Sequence, residues 1–270
     1  MKSEIILKLI DVKIIKSIAL KAGKAILKEY TCDMDIKYKD DLSPLTKADS
    51  ISNDIICTEL IKYYPHIPIL SEENKQAPYE IRKDWEYYWC IDPMDGTKEF
   101  IKKNGEFTVN IALVHRGMPV IGVVYAPVLE SMYYAKKGEG AFLNGEKLPL
   151  RANDNYLKSI SVVASKSHMS DETKYFLDNL TLKTEHLTLS SKGSSLKLCM
   201  VATGEADIYP RIAPTMEWDT AAAHAIVLES GKNVYVYDEK IGSESYLANK
   251  DLVPLKYNKE NLLNPSFVVA

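Results

Sequence analysis

Three β-branched or aromatic runs in the middle of the chain constrain its fold more than any other feature. Gly and Pro turns divide them, and their sequences are FTVNIALV, PVIGVVYAPV and SMYYAKKGEGAFLNG. Runs of this composition that follow one another across short turns are typical of antiparallel strands. Asn144-Gly145 in the third run is a tight-turn signal, because both residues accept the positive φ angles of a two-residue hairpin. The sequence therefore predicts an antiparallel meander.

Helices are predicted both before and after this meander in the sequence. A long amphipathic helix is expected over residues 4–30, and a second helix that Pro65 ends is followed by the strand IPIL. In the second half, strand-like and helix-like segments alternate, which is typical of α/β layering. We therefore predict a fold of the α/β (α+β) class, with an α+β half over residues 1–155 and an α/β half over residues 156–270. The two halves are expected to form one compact catalytic unit with the active site between them.

Charge and hydropathy argue against two classes of partner. The chain carries a formal net charge of −3, so it has no basic field that would gather long nucleic acid. No window holds the roughly 18 consecutive apolar residues of a membrane-spanning helix. Lys8, Asp11 and Lys13 interrupt the apolar N-terminus, which is wrong for a signal peptide. We expect a cytoplasmic location. The lysines of the first helix are expected to form a solvated helix face, and weak peripheral contact of this helix with the inner face of the membrane is the less favoured alternative.

The cysteines point to a reducing compartment. Cys32, Cys57, Cys90 and Cys199 are far apart and form no C-x-x-C pair. Neither a zinc site nor a disulfide framework is therefore predicted, and small buried thiols are expected instead.

The segment WCIDPMDGTKEF is the strongest functional signal in the sequence. Asp92 and Asp95 stand on either side of Pro93, which fixes φ and stiffens the turn. Two carboxylates so close repel each other unless a cation lies between them. Gly96 lets the backbone approach a ligand closely, and the N–H groups of Gly96 and Thr97 can bind an anion if they begin a helix. Our hypothesis is that this segment holds metal with its acids and phosphate with its backbone.

Further acids stand where predicted elements begin or end, namely Asp49, Glu72, Glu73 and Asp219. Each has a structural alternative, because Asp49 and Asp219 could simply stabilise helix N-termini and the two glutamates could belong to a solvated loop. Together with Asp92 and Asp95 they form an all-oxygen set without paired His or Cys, which suits Mg²⁺. Magnesium ions held by such a set could polarise a phosphate and stabilise the leaving oxygen.

Three motifs resemble those of the inositol monophosphatase family of lithium-sensitive, magnesium-dependent phosphatases. DPMDGT resembles the family signature D-P-[IL]-D-G-T, and LSEE and WDTAAAHAI resemble its other two motifs in the same order. Within this family the chain is most similar to the CysQ-type 3'(2'),5'-bisphosphate nucleotidases, through stretches such as DGTKEFIKKNGEFTVNIALV and GSSLKLC. The resemblance runs from SPLTKAD to LNPSF and implies a layered αβαβα sandwich with two or three Mg²⁺ ions.

The resemblance also implies roles for individual residues. The metal-site residues that it implies are Glu72, Glu73, Asp92, Met94 (through its carbonyl), Asp95 and Asp219. Thr97 and Asp49 would orient the attacking water, and Glu72 is counted with them as catalytic. Gly96, Thr97 and Asp219 would also contact the substrate.

Substrate choice must come from outside the shared motifs. Lys197 and Arg211 add two cations to a cleft of acids, and a guanidinium can bind a phosphate bidentately. Ser194 and Ser195 offer hydroxyls, and His168 of SKSH could contact a second phosphate or the ribose. The structural alternatives are a surface histidine, a solvated helix lysine and an arginine in an ion pair.

Together with the resemblance to the CysQ-type nucleotidases, these residues predict a phosphomonoesterase that removes the 3'-phosphate from adenosine 3',5'-bisphosphate (PAP), giving AMP and phosphate. The related sulfated nucleotide PAPS is a second expected substrate. The nearest alternative is an inositol monophosphatase or a broad sugar phosphatase on the same fold. A non-catalytic nucleotide-binding regulator should have lost a metal ligand or Thr97, and all of them are present in the sequence. Very short oligoribonucleotides are compatible with the motifs, and either a monomer or a homodimer is compatible with the sequence.

Overall fold

The computed structural model describes residues 2–31, 36–38, 44–151, 155–164, 170–248 and 252–270. The elements of the first half are, in chain order, α1 (Lys2–Leu9), α2 (Val12–Tyr30), β1 (Ile36–Tyr38), β2 (Pro44–Thr46), α3 (Lys47–Tyr63), β3 (Ile69–Ser71), α4 (Tyr79–Arg82), β4 (Tyr87–Asp95), α5 (Thr97–Ile101), β5 (Thr108–His115), β6 (Met118–Ala126), β7 (Ser131–Lys136), β8 (Gly140–Leu143) and β9 (Glu146–Lys147). Those of the second half are β10 (Ser159–Ala164), α6 (Asp171–Thr181), β11 (His186–Ser191), α7 (Leu196–Thr203), β12 (Tyr209–Arg211), β13 (Thr215–Met216), α8 (Glu217–Glu229), β14 (Val234–Val236), α9 (Ser243–Ala248), β15 (Leu263–Asn264) and β16 (Phe267–Val269).

Strands β3 to β9 form a seven-stranded sheet in which they follow one another in sequence order. The first pair, β3 with β4, is parallel, and the later pairs are antiparallel. Asn144 and Gly145 both have positive φ and connect β8 to β9. The predicted meander is confirmed.

Helices cover both faces of this sheet because both faces are apolar. On one face Trp89 shares a core with Ile18 of α2 and Ile56 of α3. On the other face Cys90 shares a core with Ala222 of α8 and with residues of α7. Neighbouring residues of β4 thus point into different cores, as the alternation of a strand requires.

A second β layer lies beyond α7 and α8. Strands β12, β16 and β14 pair antiparallel in that order, and β10 pairs parallel with β11. Phe176 of α6 and Tyr246 of α9 pack on the far side of this layer with Val162 and Val268. The order of layers is therefore αβαβα, and the predicted α/β sandwich is confirmed. The division of the chain at residue 155 stays a prediction, since one core contains residues from both sides of it.

Helix α8 approaches the first sheet so closely that β6 requires a glycine. A Cβ at Gly122 would lie 2.0 Å from the carbonyl oxygen of Ala222 and 2.8 Å from the Cβ of Ala225. The small alanine side chains of α8 permit this approach. The close packing fixes the height of α8 above the sheet, and with it the position of Asp219 in the first turn of that helix.

The prediction of one continuous helix over residues 4–30 is wrong. Helix α1 ends at Leu9 and α2 begins at Val12. Asp11 leaves the helical conformation, with φ −89° and ψ 113°, and its carboxylate accepts the Lys13 N–H at 2.8 Å. Asp11 is thus an N-cap that starts a new helix inside an otherwise periodic apolar pattern.

Two predictions about the whole chain can be compared with the described residues. None of the helices in the described ranges is both long and apolar enough to cross a membrane. Cys57, Cys90 and Cys199 are free thiols, while Cys32 lies outside the described residues.

Candidate metal and substrate site

Three carboxylates from three separate segments of the chain converge at a cleft that Asp219 lines. Glu72 follows β3, Asp92 lies in β4 and Asp219 lies in the first turn of α8. One oxygen of each lies within 4.8 Å of an oxygen of the other two. Asp92 is buried, with 2% of its surface exposed. The structure therefore brings together three of the predicted metal-site acids.

Burial and mutual repulsion disfavour this cluster as a set of free anions. Burial, followed by the charges of Glu72 and Asp95, raises the pKa of Asp92 well above its usual value. Burial and the charge of Asp95 likewise raise the pKa of Asp219, although the Met216 N–H donates to its carboxylate at 2.8 Å. A divalent cation would remove this repulsion, and carboxylate oxygens are the donors that Mg²⁺ prefers. The donor set therefore fits a hard divalent cation.

A β-bulge in β4 aims Asp92 and Asp95 at the same site. Asp92 pairs with Asn110 of β5 and Asp95 with Thr108, so β4 contains one residue more than β5 over this interval. In a regular strand, residues three apart point to opposite faces. The extra residue in the bulge brings the two carboxylates to one side.

Hydrogen bonds hold the turn between these two acids. The Met94 N–H donates to Asp92 Oδ1 at 3.0 Å, and the Ser52 hydroxyl of α3 donates to the Pro93 carbonyl at 2.7 Å. The Met94 carbonyl lies 3.5 Å from the Thr97 hydroxyl. Its implied role as a metal ligand stays a prediction.

Asp49 and Thr97 are in contact. Asp49 Oδ2 accepts both the N–H and the hydroxyl of Thr46 at 2.7 Å, and Asp49 Oδ1 accepts the Thr97 hydroxyl at 3.2 Å. Burial raises the pKa of Asp49, the two hydrogen bonds from Thr46 oppose that rise, and the charge of Glu73 adds to it. The negative charge of Glu73 therefore raises the pKa of Asp49. The implied role of Glu73 in the metal site stays a prediction.

Thr46 was not among the predicted site residues. It is the N-cap of α3, and Asp49 is the third residue of that helix. The spacing T-x-x-D ahead of an apolar run is the signal of a capping box, with Asp in the place of the usual Glu. That signal could have identified Thr46 as the residue that orients Asp49.

Gly96 and Thr97 lie at the start of a helix, which is the condition under which their N–H groups were expected to bind an anion. Gly96 has φ +93° and caps α5, whose first residue is Thr97. A Cβ at Gly96 would lie 3.2 Å from the carbonyl oxygen of Glu106 and 3.3 Å from the Cβ of Ser194. Any other residue would be both strained and crowded there, so this position requires glycine.

The two serines of the GSSLKLC segment face Asp95. Their hydroxyl oxygens lie 2.6 Å (Ser194) and 2.9 Å (Ser195) from Asp95 Oδ2, and that of Ser195 also lies 2.7 Å from the Asp219 carbonyl. Ser195 is buried, with 1% of its surface exposed. The Ser195 hydroxyl thus lies between Asp95 and the Asp219 carbonyl, and its expected contact with substrate stays a prediction. A substrate contact of the half-buried Ser194 stays a prediction.

Lys197 is a buried cation and not a solvated helix lysine. Its ammonium donates to the carbonyl oxygens of Ser194 at 2.7 Å and Lys192 at 3.1 Å. Burial lowers the pKa of Lys197 to about 8. Its positive charge lies beside the cleft, but its hydrogen bonds are directed at the backbone of the preceding loop.

Arg211 lines the same cleft, which has a volume of about 460 Å³. Its Nη2 donates to the Pro214 carbonyl at 3.1 Å. Its Nε is buried and has no hydrogen-bond partner in the part of the chain that the structure describes. A buried N–H donor without a partner is costly. His168, the remaining predicted contact, lies outside the described residues.

Comparisons with known proteins agree with this geometry. A sequence profile of the inositol monophosphatase family matches residues 10–267. The 3'(2'),5'-bisphosphate nucleotidase CysQ of Salmonella typhimurium is 45% identical over 256 residues, which cover 94% of this chain and 96% of that protein.

Two solved structures have the same fold. The crystal structure of CysQ from Bacteroides thetaiotaomicron, described as a bacterial member of the inositol monophosphatase family, has a TM-score of 0.78 and 41% identity and covers 96% of each chain. The inositol monophosphatase of Anabaena has a TM-score of 0.71 and 25% identity and covers 96% of this chain and 89% of its own. The resemblance seen in the motifs is confirmed over nearly the whole chain.

Proposed function

This chain belongs to the inositol monophosphatase family, and we propose that it is a magnesium-dependent 3'(2'),5'-bisphosphate nucleotidase. The reaction is hydrolysis of the 3'-phosphate ester of PAP, which gives AMP and phosphate. PAPS carries the same ester and is a second substrate. The proposal is carried by 45% identity across 94% of the chain to a protein of that name, in a chain that keeps the three-carboxylate cluster.

Glu72, Asp92, Asp95 and Asp219 would hold Mg²⁺, with the Met94 carbonyl as a further ligand. When bound, Mg²⁺ neutralises and polarises the phosphate group that is cleaved. The support for this assignment is chemical, since burial and neighbouring carboxylates raise the pKa of Asp92 and of Asp219, and a cation among these groups would offset both effects.

Thr97 and Asp49 position the attacking water. The Thr97 hydroxyl donates a hydrogen bond to Asp49, so its oxygen is left to accept a hydrogen bond from water. Thr46 fixes the Asp49 carboxylate through two hydrogen bonds of 2.7 Å. A water oriented in this way keeps a lone pair directed at phosphorus, and no covalent enzyme intermediate is required.

Arg211 favours a substrate with a second phosphate. Arg211 lines the cleft, and a guanidinium can bind a phosphate bidentately. Lys197 adds positive charge next to it. An inositol monophosphate has no second phosphate for these cations, so the alternative function has less support.

Identification of the products tests the proposal. Purified protein is incubated with PAP and Mg²⁺, and the products are separated by ion-exchange chromatography. Adenosine 5'-phosphate and an equimolar amount of phosphate are expected. Adenosine 3'-phosphate would show that the other ester is cut and would contradict the assignment.

A further inference from the structure

Alternate residues just before and at the start of β5 lie against three consecutive residues of another segment. That segment is residues 192–195, which we call the serine loop. Glu106, Thr108 and Asn110 of EFTVN are two positions apart, so an extended backbone places their side chains on one face. They meet residues 193, 194 and 195 in the same order.

Each of the three contacts is a hydrogen bond. Glu106 Oε2 accepts the Gly193 N–H at 2.8 Å. The hydroxyl oxygens of Thr108 and Ser194 lie 2.6 Å apart, and Asn110 Nδ2 donates to the Ser195 hydroxyl at 2.8 Å. Thr108 and Asn110 are buried, so water does not compete for their hydrogen bonds.

The direction of these bonds leaves the serine protons for Asp95. An amide nitrogen can only donate, so the Ser195 oxygen accepts from Asn110 and keeps its own proton. The Thr108 hydroxyl has two acceptors within reach, the Ser194 oxygen at 2.6 Å and Asn110 Oδ1 at 2.9 Å. When it donates to Ser194, the Ser194 proton is left for Asp95 Oδ2 at 2.6 Å. The Ser195 proton has Asp95 Oδ2 at 2.9 Å and the Asp219 carbonyl at 2.7 Å as acceptors, so both serines contact Asp95.

The serine loop has a conformation that depends on its surroundings. Ser194 has φ +55°, which is unfavourable for a residue other than glycine. A Cβ at Gly193 would lie 2.7 Å from Glu99 Cγ and 2.8 Å from the Glu106 carbonyl oxygen. A strained residue beside a crowded glycine persists only where neighbouring groups hold it in place.

We infer that Glu106, Thr108 and Asn110 are positioning residues for Asp95, which they orient through the serine loop. The inference rests on the proposed function, because it takes Asp95 as a ligand of Mg²⁺. Groups that orient a metal ligand affect metal affinity without touching the metal. The inference therefore concerns Mg²⁺ binding first and turnover second.

Calorimetric titration of the full chain with Mg²⁺ tests this inference through a matched pair of variants. Thr108→Val keeps the shape of the side chain and removes the hydroxyl, whereas Thr108→Ser keeps the hydroxyl. Thr108→Val is expected to weaken Mg²⁺ binding about tenfold and to lower kcat for PAP with little change in KM. Thr108→Ser is expected to behave as wild type, and melting in EDTA shows that each variant is folded.

A second pair serves if a change at buried Thr108 prevents folding. Glu106 is only half-buried, and both Glu106→Gln and Glu106→Ala remove its charge. Only the glutamine can still accept the Gly193 N–H, so Mg²⁺ binding should be retained in Glu106→Gln and weakened in Glu106→Ala.

Several results would overturn the inference. Unchanged Mg²⁺ binding in Thr108→Val and Glu106→Ala, with wild type binding normally, would refute this inference and leave the proposed function unaffected. Equal losses in Thr108→Val and Thr108→Ser would show that the position acts through packing. Absence of Mg²⁺ binding in the wild type would refute the proposed function, and the inference with it.

Discussion

The two walls of the cleft are built from contacts of different range. In the acidic wall, residues 46–97, Thr46 orients Asp49 from three residues away, and the Met94 N–H orients Asp92 from two residues away. In the opposite wall, residues 192–219, the serine hydroxyls meet Thr108, Asn110 and Asp95, which are 85 to 100 residues distant in sequence. Local chain geometry therefore orients the individual acids of the first wall, whose longer contacts span 41 and 48 residues, and packing between more distant segments sets the second.

This difference separates two tasks. The acidic wall contains most of the residues that we assign to metal and water, and its short-range hydrogen bonds can form as soon as the local turns form. The opposite wall contains Lys197 and Arg211, which we assign to substrate choice. Changes in the acidic wall should therefore affect every substrate, and a change at Arg211 should affect only substrates with a second phosphate.

Asp92→Asn removes the most buried acid of the acidic wall and is expected to have the largest effect. A metal site contributes several kcal/mol of transition-state stabilisation, and loss of about 4 kcal/mol corresponds to a rate roughly a thousandfold lower. Phosphate release from PAP at saturating Mg²⁺ measures this loss. Asp171→Asn is the control, because Asp171 pairs with Lys174 on the exposed surface of α6. Near-normal turnover by Asp92→Asn would contradict the assignment of the metal site.

Thr97→Val is expected to lower kcat about a hundredfold or more, since it removes the group that we assign to positioning water. Thr97→Ser keeps the hydroxyl and should retain most activity. Steady-state kinetics with PAP provides the measurement, and calorimetry should show similar Mg²⁺ binding in both variants. Equal losses in the valine and serine variants would mean that the hydroxyl has no special role.

Arg211→Met should distinguish the two walls by substrate. Loss of a hydrogen bond to a charged group costs about 1.5–3 kcal/mol, so kcat/KM for PAP should fall about ten- to a hundredfold. Adenosine 3'-phosphate lacks the second phosphate, and its kcat/KM should hardly change. Arg116→Met is the control, since Arg116 is exposed and pairs with Glu86. A parallel loss with both nucleotides would place Arg211 in the common machinery.

The smallest expected effect is on the stability of the metal-free protein. The pKa of Asp92 is raised in the folded state, so the folded protein retains a proton that the unfolded chain releases. Stability then falls as pH rises from the usual carboxyl range towards the raised pKa. Asp92→Asn removes this loss, so in EDTA the melting temperature of the variant should exceed that of wild type by a margin that grows as pH rises above the ordinary carboxyl range.

Buried His224 also changes the stability of the folded protein over part of this pH range. The pKa of His224 is lowered to about 4 by burial, so His224 makes stability rise with pH up to its ordinary pKa. That contribution is common to both proteins and cancels in the difference between their melting temperatures. A difference that shrinks with rising pH would contradict the repulsion that we infer in the acidic wall.

The sequence predicted best what depends on neighbouring residues. The meander follows from turn signals, and Gly96 marks the start of α5. The grouping of Glu72 and Asp92 with the distant Asp219 was expected for another reason, namely their places where predicted elements begin or end and their match to the family motifs. The break at Asp11 and the role of Thr46 also have local signals. The Asp11 signal lies inside a continuous apolar pattern, and Thr46 stands close to Asp49, which is the more obvious candidate.

The directions of Ser195 and Lys197 could not be read from the sequence. Ser195 donates to Asp95 from 100 positions away, and no local pattern encodes a partner at that distance. Lys197 bonds to nearby carbonyls, but only the packing of α7 shows that it is buried and cannot extend into solvent. A cation in a motif therefore indicates charge near a site without indicating which atoms it contacts.

Phosphate release from PAP and from inositol 1-phosphate, measured in parallel with Mg²⁺ and with EDTA, tests the central claim most directly. We expect rapid release from PAP with Mg²⁺, little from inositol 1-phosphate and none from either with EDTA. Faster release from inositol 1-phosphate would contradict the nucleotidase assignment, and undiminished release in EDTA would contradict the metal site.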